Sequence, residues 1–259
     1  AHYETDREVI NLTKMHGAGN DYIYIDCMKS CPADLPALSR RLSDRHTGVG
    51  ADGMVLIMPS EIADFRMRMF NADGSEGLMC GNAARCVGKY VFEKGLTDKK
   101  RIALETPSGV RTLCLHFDGT AVDRVTVDMG APQLDPAKVP FTTDGLQAET
   151  LGSTQKWPLT LDAPLQPATV WIAAVSMGNP HCVIFTDNVP DDEFLKKEGS
   201  AMEKDVHFPR KTNVEFVHPL GNNRFRMRVW ERGSGETFAC GTGTCATVVE
   251  AVLNGFCKK

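Results

Sequence analysis

Short apolar runs, mostly bounded by glycine or aspartate, recur along the chain and predict a fold built mainly of β-strands. In the run FRMRMF, apolar and basic residues alternate, which predicts a strand with one basic face. Seven runs carry the strand pattern: YIYID (22–26), GMVLIM (53–58), FRMRMF (65–70), RVTVDMG (124–130), VWIAAVSMG (170–178), HCVIF (181–185) and FRMRVW (225–230).

Three other segments have the apolar spacing of helices. They are ADLPALSRRLSDRH (33–46), GNAARCVGKYVFEKG (81–95) and GTGTCATVVEAVLNGF (241–256). The second and third reach Gly95 and Gly255, and glycine is the residue that commonly caps a helix C-terminus. A proline- and glycine-rich stretch, residues 130–168, predicts loops and short strands.

One segment of the chain occurs twice. Residues 65–81 and 225–241 align without a gap at an offset of 160, and seven of the seventeen positions are identical. Each copy ends in a cysteine followed by glycine, at Cys80 and Cys240. A chain built twice over, with one thiol in each copy, can present two equivalent thiols on opposite sides of one cleft.

The match extends beyond this segment, because a Gly-Asn pair precedes an apolar run at residues 19–20 and again at residues 178–179. The sequence therefore predicts two homologous halves, residues 1–123 and 124–259. We expect an α+β fold of two pseudo-twofold-related half-domains, each mostly β-sheet around a central helix that starts at its duplicated cysteine.

Composition sets broad limits on the kind of protein. The chain has 259 residues, 42% of them hydrophobic and 24% charged, with a formal net charge of −4 and a pI near 6. This balance gives no electrostatic reason to expect a nucleic-acid or anionic-membrane partner. No run approaches the ~18–20 apolar residues of a membrane span, and the first residues lack a signal-peptide pattern. We therefore expect a cytoplasmic protein.

The nine cysteines fit a reducing compartment. Their odd number and the lack of a CxxC pair do not resemble a secreted disulfide framework or a zinc ribbon. Most are expected to be small buried residues, and only the duplicated pair calls for a separate explanation.

The segment GVGADG, residues 48–53, matches the GxGxxG pattern of dinucleotide-binding loops. That fingerprint must follow a strand and open a helix. Here it follows a predicted helix and opens the strand-like run MVLIM, so we do not expect a nucleotide site.

A cysteine at a helix N-terminus is a recognisable reactive group. The unpaired N–H groups and the helix dipole favour a thiolate there, and the same N–H groups can bind a carboxylate. The small residues after Cys80 and Cys240 would let a ligand approach the backbone. Two matching thiols, one ionised and one protonated, can invert a carbon centre by removing a proton from one face and delivering one to the other. The plainer interpretation is a buried helix-start cysteine with no role.

The sequence resembles the diaminopimelate epimerase family along nearly its whole length. The motifs that carry the resemblance are KMHGAGNDY (14–22), GVGADG (48–53), FNADGSE (70–76), MCGNAARC (79–86), VSMGNPHC (175–182), TNVEF (212–216) and ERGSGETFACGTG (231–243). The resemblance implies an isomerase of lysine and peptidoglycan-precursor biosynthesis that converts LL-2,6-diaminopimelate to the meso form. It also implies a homodimer, and catalysis without pyridoxal phosphate or a metal.

The resemblance assigns roles to individual residues. Cys80 and Cys240 would be the acid/base thiols, and His181 and Glu231 would sit beside the thiols or the substrate nitrogen. The implied substrate-binding residues are Asn20, Asn71, Gly81, Asn82, Asn179, Asn213, Glu231, Arg232, Gly241 and Thr242. Taken alone, Asn20 and Asn179 beside glycine would be interpreted as turn residues, and His181 as a packing residue.

Other interpretations remain open at this point. The same fold could racemise another amino acid, such as histidine or proline, or the two cysteines could form the reversible disulfide of a redox sensor. A non-catalytic scaffold of this fold is a third possibility. The chain ends nineteen residues after Cys240 (259 − 240), whereas relatives usually continue through a further strand pair, so we expect that pair to be absent.

Overall fold

The structure, a computed structural model, describes residues 2–4, 9–161 and 168–258. Its contacts divide the chain into two compact units, Ala1–Met129 (unit 1) and Gly130–Lys259 (unit 2). Each unit is a β-sheet with a small number of helices, so the prediction of a sheet-dominated α+β fold is confirmed. The halves predicted as 1–123 and 124–259 stay a prediction.

The described part of unit 1 forms ten strands and two helices. The strands are β1 (His2–Glu4), β2 (Val9–Asn11), β3 (Thr13–Gly17), β4 (Asn20–Asp26), β5 (Gly53–Met58), β6 (Phe65–Asn71), β7 (Glu76–Gly77), β8 (Arg101–Thr106), β9 (Gly109–Asp118) and β10 (Ala121–Val127). The helices are α1 (Leu35–Ser43) and α2 (Gly81–Glu93).

Eight of these strands form one sheet in the order β10-β9-β8-β6-β5-β4-β3, with β7 also paired to β6. The β4/β5 and β6/β8 pairs are parallel, and the other pairs are antiparallel. Strands β1 and β2 form a separate antiparallel pair.

Helices α1 and α2 pack against different residues of the same central strands. In β4, Tyr22 and Tyr24 belong to the apolar cluster that includes α2. The alternate residues Ile23 and Ile25 belong to the cluster that includes Leu42 of α1. Both faces of the strand are therefore covered, which explains why YIYID reads as a continuous apolar run.

The described part of unit 2 forms seven strands and three α-helices. The strands are β11 (Glu149–Leu151), β12 (Thr154–Leu161), β13 (Ala168–Ser176), β14 (Pro180–Phe185), β15 (Asn213–Gly221), β16 (Arg224–Glu231) and β17 (Gly235–Glu236). The helices are α3 (Asp192–Phe194), α4 (Ser200–Glu203) and α5 (Gly241–Leu253), with a π-helical turn at Leu195–Gly199 and a 3₁₀ turn at Pro136–Lys138.

The sheet of unit 2 runs β11-β12-β13-β14-β15-β16-β17. Its main apolar cluster includes Trp157, Phe208 and Phe216. The proline-rich stretch predicted as loops and short strands contains β12, which at eight residues is longer than expected and accommodates Pro158 opposite Trp171. The part of that prediction at residues 162–167 lies outside the described residues.

The duplicated segment folds in the same way in both units. Strands β3 to β7 followed by α2, and β13 to β17 followed by α5, share one pattern: antiparallel, parallel, antiparallel, antiparallel, helix. Even the register is shared, because Met54 pairs with Phe70 in unit 1 and Val214, 160 residues later, pairs with Trp230 in unit 2.

This shared register explains two of the identical positions in the repeat. Arg68 Nε donates to Glu76 Oε1 at 2.7 Å, and Arg228 Nε donates to Glu236 Oε1 at 2.9 Å. Each pair lies across the short hairpin that delivers the chain to its duplicated cysteine. The identical arginine and glutamate thus form the same ion pair in both units, in the hairpin that leads into the helix.

Helices α2 and α5 end as the glycines predicted. Gly95 and Gly255 have φ of 70° and 74°, in the left-handed region that favours glycine. Leu96 N–H bonds to Val91 O in α2, and Phe256 N–H bonds to Ala251 O in α5, which is the Schellman pattern. Within the described ranges, no helix is long and apolar enough to cross a membrane.

The glycines of residues 48–53 serve packing. A Cβ at Gly48 would lie 2.3 Å from Arg41 O, and one at Gly53 would lie 2.2 Å from Phe70 O. The segment leads from the turn after α1 into β5, so the structure agrees with the rejection of a dinucleotide fingerprint.

Candidate active site

Cys80 and Cys240 occupy the same structural position, the N-cap of α2 and of α5 respectively. Both have extended backbone angles, and the carbonyl of each accepts the first helical hydrogen bond, from Ala84 N–H (3.0 Å) and Thr244 N–H (2.9 Å). The first N–H groups of an α-helix have no partner within the helix. Both cysteines therefore lie where backbone donors and the helix dipole favour an anion.

In unit 1, Cys80 is partly exposed and belongs to a cluster of amides. Cys80 Sγ lies 3.5 Å from Asn20 Oδ1, and Asn82 Nδ2 donates to the same oxygen at 3.3 Å. Arg85 donates to Asn82 Oδ1. The predicted residues Asn20, Cys80 and Asn82 are thus brought together.

Asn20 is also held from its other side. Its Nδ2 donates to Asp52 Oδ2 at 2.6 Å, and Asp52 accepts from Arg45 at 2.9 Å. The chain packs closely here, since a Cβ at Gly17 would lie 2.9 Å from Asn82 O. These contacts fix the orientation of the Asn20 amide beside Cys80.

Asn71, predicted to bind substrate, is the last residue of β6 and is followed by the turn to β7. Its Nδ2 donates to Ser75 Oγ at 2.9 Å, and its carbonyl accepts from Ser39 Oγ at 2.9 Å. In this structure Asn71 therefore bonds to the turn that follows it and to α1.

In unit 2, Cys240 is buried, with 5% of its surface exposed. Its Sγ accepts from Gly243 N–H at 3.3 Å and lies 3.5 Å from Thr242 Oγ1. Thr242 Oγ1 in turn accepts from Asn179 Nδ2 at 3.2 Å. Asn179 and Thr242 correspond by the repeat to Asn20 and Asn82, so a hydrogen bond between equivalent residues lies beside each cysteine, with donor and acceptor exchanged.

Behind Asn179 lies a buried histidine–glutamate pair. His181 Nε2 is 3.0 Å from Asn179 Oδ1, and His181 Nδ1 is 2.7 Å from Glu215 Oε1. Both ring nitrogens of His181 therefore have hydrogen-bond partners, and the residue is fully buried. The structure joins His181 to the site as a member of this network.

Glu215 belongs to the site, and the sequence analysis did not identify it. It is fully buried on β15, and its Oε2 has no hydrogen-bond partner among the described residues. A Cβ at Gly243 would lie 2.5 Å from Glu215 Oε1 and 3.1 Å from Cys240 Sγ. The available signal was an acid inside the apolar run NVEFV, where the first copy has Val55.

Two carboxylates, those of Glu215 and Glu231, lie near the Cys240 thiol. Burial raises the pKa of the Cys240 thiol well above its ordinary value, and the charges of Glu231 and Glu215 raise it further, against the hydrogen bonds from Thr242 and Gly243. Burial likewise raises the pKa of Glu231, against hydrogen bonds to Thr237 and Cys240. Cys240 is therefore protonated near neutral pH and can act as a proton donor.

Asn213 and Arg232 are joined to each other. Asn213 Oδ1 accepts from the backbone N–H of Arg232 at 2.9 Å, and its Nδ2 donates to Pro180 O at 3.0 Å. Arg232 Nη1 donates to Arg210 O at 3.1 Å, and burial lowers the pKa of its guanidinium. Asn213 thus positions the backbone from which Arg232 projects.

The donor atoms of His181, Glu215 and Cys240 lie within 4.8 Å of one another, a grouping that could hold a metal ion. Two ligands of one tetrahedral zinc, each bonded at about 2.0–2.1 Å, would be about 3.3 Å apart. The 2.7 Å separation of His181 Nδ1 and Glu215 Oε1 is that of a hydrogen bond. The geometry therefore favours a proton-sharing network over a metal site.

Solved structures of low sequence identity share this fold. A hydroxyproline epimerase from Agrobacterium vitis matches with a TM-score of 0.67 at 14% identity, covering 98% of this chain and 80% of its own. A probable proline racemase from Agrobacterium radiobacter matches with a TM-score of 0.66 at 15% identity, covering 96% and 78%. At these identities the matches show the fold alone.

Sequence comparison is more specific. Relatives named diaminopimelate epimerase share 52% identity over 246 residues in Phocaeicola vulgatus and 49% over 250 residues in Desulfovibrio desulfuricans. Both alignments cover 95% of this chain, and they cover 83% and 84% of the respective relatives. The family model described as diaminopimelate epimerase matches residues 12–134 and 173–259, and the chain therefore belongs to the diaminopimelate epimerase family.

Proposed function

We propose that this protein interconverts LL- and meso-2,6-diaminopimelate, a step of lysine and peptidoglycan-precursor biosynthesis. The observation that carries the proposal is the matched placement of Cys80 and Cys240 at the N-caps of α2 and α5, in a chain of this family. Relatives at about half sequence identity bear the name of this activity.

The reaction needs two proton carriers. Inversion at the α-carbon requires a base to remove the proton from one face and an acid to deliver a proton to the other. We assign these roles to the two thiols, with Cys240 entering the cycle as the acid because its pKa is raised. Cys80 then takes the proton, and the roles exchange for the reverse reaction.

Stabilisation of the carbanion comes from the helix N-termini in this proposal. The backbone N–H groups of Gly81-Asn82 and Gly241-Thr242 would bind the carboxylate at the reacting carbon, where negative charge develops. The α-proton of an amino acid is only weakly acidic, so preorganised donors at this carboxylate are essential.

The remaining polar groups would recognise the rest of the substrate. Diaminopimelate carries two carboxylates and two ammonium groups, which call for amide donors and acceptors and a guanidinium that can hold a carboxylate at two points. We assign this recognition to the predicted residues Asn20, Asn71, Asn179, Asn213, Glu231 and Arg232. The contacts of Asn20 and Asn179 beside the two thiols support their part in it.

His181 is proposed as a positioning residue. It holds Asn179 through Nε2, and Asn179 holds Thr242 beside Cys240. Glu215 anchors the other side of the imidazole.

The family resemblance also supports a homodimer and a cytoplasmic location, and we include both in the proposal.

The nearest alternative is racemisation of another amino acid, which the shared fold of the hydroxyproline epimerase makes relevant. A redox sensor that uses Cys80 and Cys240 as a disulfide is a second.

The test is deuterium exchange at the α-carbon in D₂O, with LL-diaminopimelate, histidine and proline offered separately to the reduced protein. We expect exchange and inversion only with diaminopimelate. Cys80→Ala or Cys240→Ala should lower inversion by at least about 10²–10⁴-fold, the contribution typical of one acid/base group.

Cys114→Ala is the matched control, since Cys114 lies on β9 and is not one of the proposed site residues, and it should retain the full rate. Inversion at the parent rate in either N-cap variant would overturn the two-thiol mechanism. Exchange with histidine or proline in place of diaminopimelate would assign the chain the alternative substrate.

A further inference from the structure

Two cysteines outside the candidate active site lie against each other in unit 1. Cys27 follows the last residue of β4, and Cys31 follows four residues later, in the connection to α1. Their sulfur atoms are 3.1 Å apart, and both thiols are free. A disulfide needs the sulfurs at about 2.0 Å, so a small movement within this short connection would join them.

The two thiols differ in access. Cys27 is 4% exposed, and its backbone N–H is held by Ile57 O at 2.8 Å, so it is fixed to the sheet. Cys31 is exposed to solvent. A reagent from solvent therefore reaches Cys31 first. Cys27 lies where its thiol can react with the modified Cys31 sulfur.

Charge around the pair reinforces this division. Burial first, and then the hydrogen bond to Cys31, raises the pKa of the Cys27 thiol, so Cys27 remains protonated. The pKa of the Arg68 guanidinium is raised chiefly by its hydrogen bond to Glu76, and in part by the negative charge of Cys31. The Arg68 guanidinium therefore lies near Cys31.

The second copy of the repeat supports the placement of Arg68. Arg228, its equivalent, donates through Nη1 to Pro190 O at 2.8 Å. Pro190 lies 159 residues after Cys31, the offset that also relates Asn20 to Asn179. The guanidinium thus approaches the same loop position in both units. Thr186 and Pro190 replace the cysteines in unit 2, so the dithiol belongs to unit 1 alone.

We propose that Cys27 and Cys31 are a reversible oxidation site that forms an intramolecular disulfide with hydroperoxides. The Cys31 thiolate attacks the peroxide oxygen, which gives a sulfenic acid at Cys31 and releases water or an alcohol. The Cys27 sulfur then attacks the Cys31 sulfur while its proton passes to the sulfenic hydroxyl, so the S–O bond breaks and water leaves. Two thiols lose two electrons and two protons in all, and the peroxide O–O bond is reduced.

Peptide mapping tests the site directly. The reduced full chain is treated with limiting hydrogen peroxide, remaining thiols are blocked by alkylation, and the protein is digested with trypsin. Lys29 lies between the two cysteines, so cleavage places Cys27 in peptide 15–29 and Cys31 in peptide 30–40. We expect these peptides as a cross-linked pair that a thiol reductant separates, formed in larger yield than in urea-unfolded chain.

Variants give the matched controls. Cys31→Ser should lose the cross-link, and Cys27→Ala should leave a sulfenic acid at Cys31 that dimedone traps. If Cys27→Ala does not fold, two measurements still test the proposal. They are the loss of the cross-link in Cys31→Ser, a change at an exposed residue, and the peptide map of the parent chain. Cys31→Ser should also keep the parent rate of α-proton exchange, since neither cysteine belongs to the proposed catalytic machinery.

Three results would overturn the proposal. Cys31 could pair with a cysteine other than Cys27, or it could pass to sulfinic acid while Cys27 stays open to alkylation. The third is a cross-link yield no higher in the folded chain than in the unfolded one, which would show that the fold does not favour the pair.

Discussion

Glu215 is a buried acid in an otherwise apolar strand, and at the scale of single residues it distinguishes the surroundings of Cys240 from those of Cys80. The equivalent position in the first copy is Val55. Its carboxylate holds His181 at 2.7 Å and contributes negative charge beside the Cys240 thiol. One substitution between the copies therefore changes the acidity of one thiol and leaves the other without this neighbour.

We expect Glu215→Gln to lower the pKa of Cys240, because the change removes one of two carboxylate charges that oppose its thiolate. The pH at half-maximal alkylation of Cys240 should fall by about one pH unit or more. Mass spectrometry of the alkylated peptides across a pH series measures this. Glu193→Gln, at an exposed position on α3, should leave the profile in place, and an unchanged profile in Glu215→Gln would refute the argument.

The sequence could not have revealed the partners of Glu215. A glutamate between Val214 and Phe216 is visible in the sequence, but the partner His181 lies 34 residues away along the chain. Only the parallel pairing of β14 with β15, in which His181 lies opposite Asn213, brings the two side chains together. The cysteines were predictable because each sits inside the repeat and starts a helix.

At the scale of elements, the termini of α2 and α5 were predictable and the attachment of α5 to its sheet was not. Glycine at the C-terminus and apolar spacing are local signals, and both helices end where those signals lie. The attachment of α5 includes a buried ion pair, Lys156 Nζ to Glu250 Oε2 at 2.9 Å, whose members are 94 residues apart. No local pattern marks such a pair.

This ion pair should show a large penalty when it is broken on one side. The side chains of Lys156 and Glu250 are 4% and 0% exposed, so Glu250→Ala leaves an unpaired buried ammonium. We expect it to lower the free energy of unfolding by about 3–5 kcal/mol, measured by urea denaturation. The double variant Lys156→Met/Glu250→Leu removes both charges and should recover most of that loss. A double variant as unstable as Glu250→Ala would contradict this account.

At the scale of the whole molecule, the repeat made the central parts of both sheets predictable. The paired runs at an offset of about 160 became ladders with the same register, joined to helices of equal length. Strands β8 and β9, which lie between β10 and β6 in unit 1, and the edge strand β11 of unit 2 were not anticipated from their own sequence. They complete the sheets through pairing with neighbours, which is a tertiary effect and leaves little trace in a short segment.

Both units bury cysteines, and this gives the whole molecule a pH dependence. Burial raises the pKa of Cys27 and Cys86 in unit 1 and of Cys182 and Cys240 in unit 2. An unfolded cysteine loses its proton near pH ~8.5, whereas these folded thiols keep theirs to higher pH. Above that value the unfolded state binds fewer protons than the folded state, so the free energy of unfolding falls as the pH rises.

We therefore expect urea denaturation midpoints under reducing conditions to decline from pH ~8.5 upward, beyond the baseline set by other groups. Cys86→Ala/Cys182→Ala should decline less steeply, because two of the four thiols that retain protons are gone. It should also be less stable at every pH through lost packing, so the slope is the quantity to compare. A variant slope equal to that of the parent chain would show that the buried thiols do not control alkaline stability.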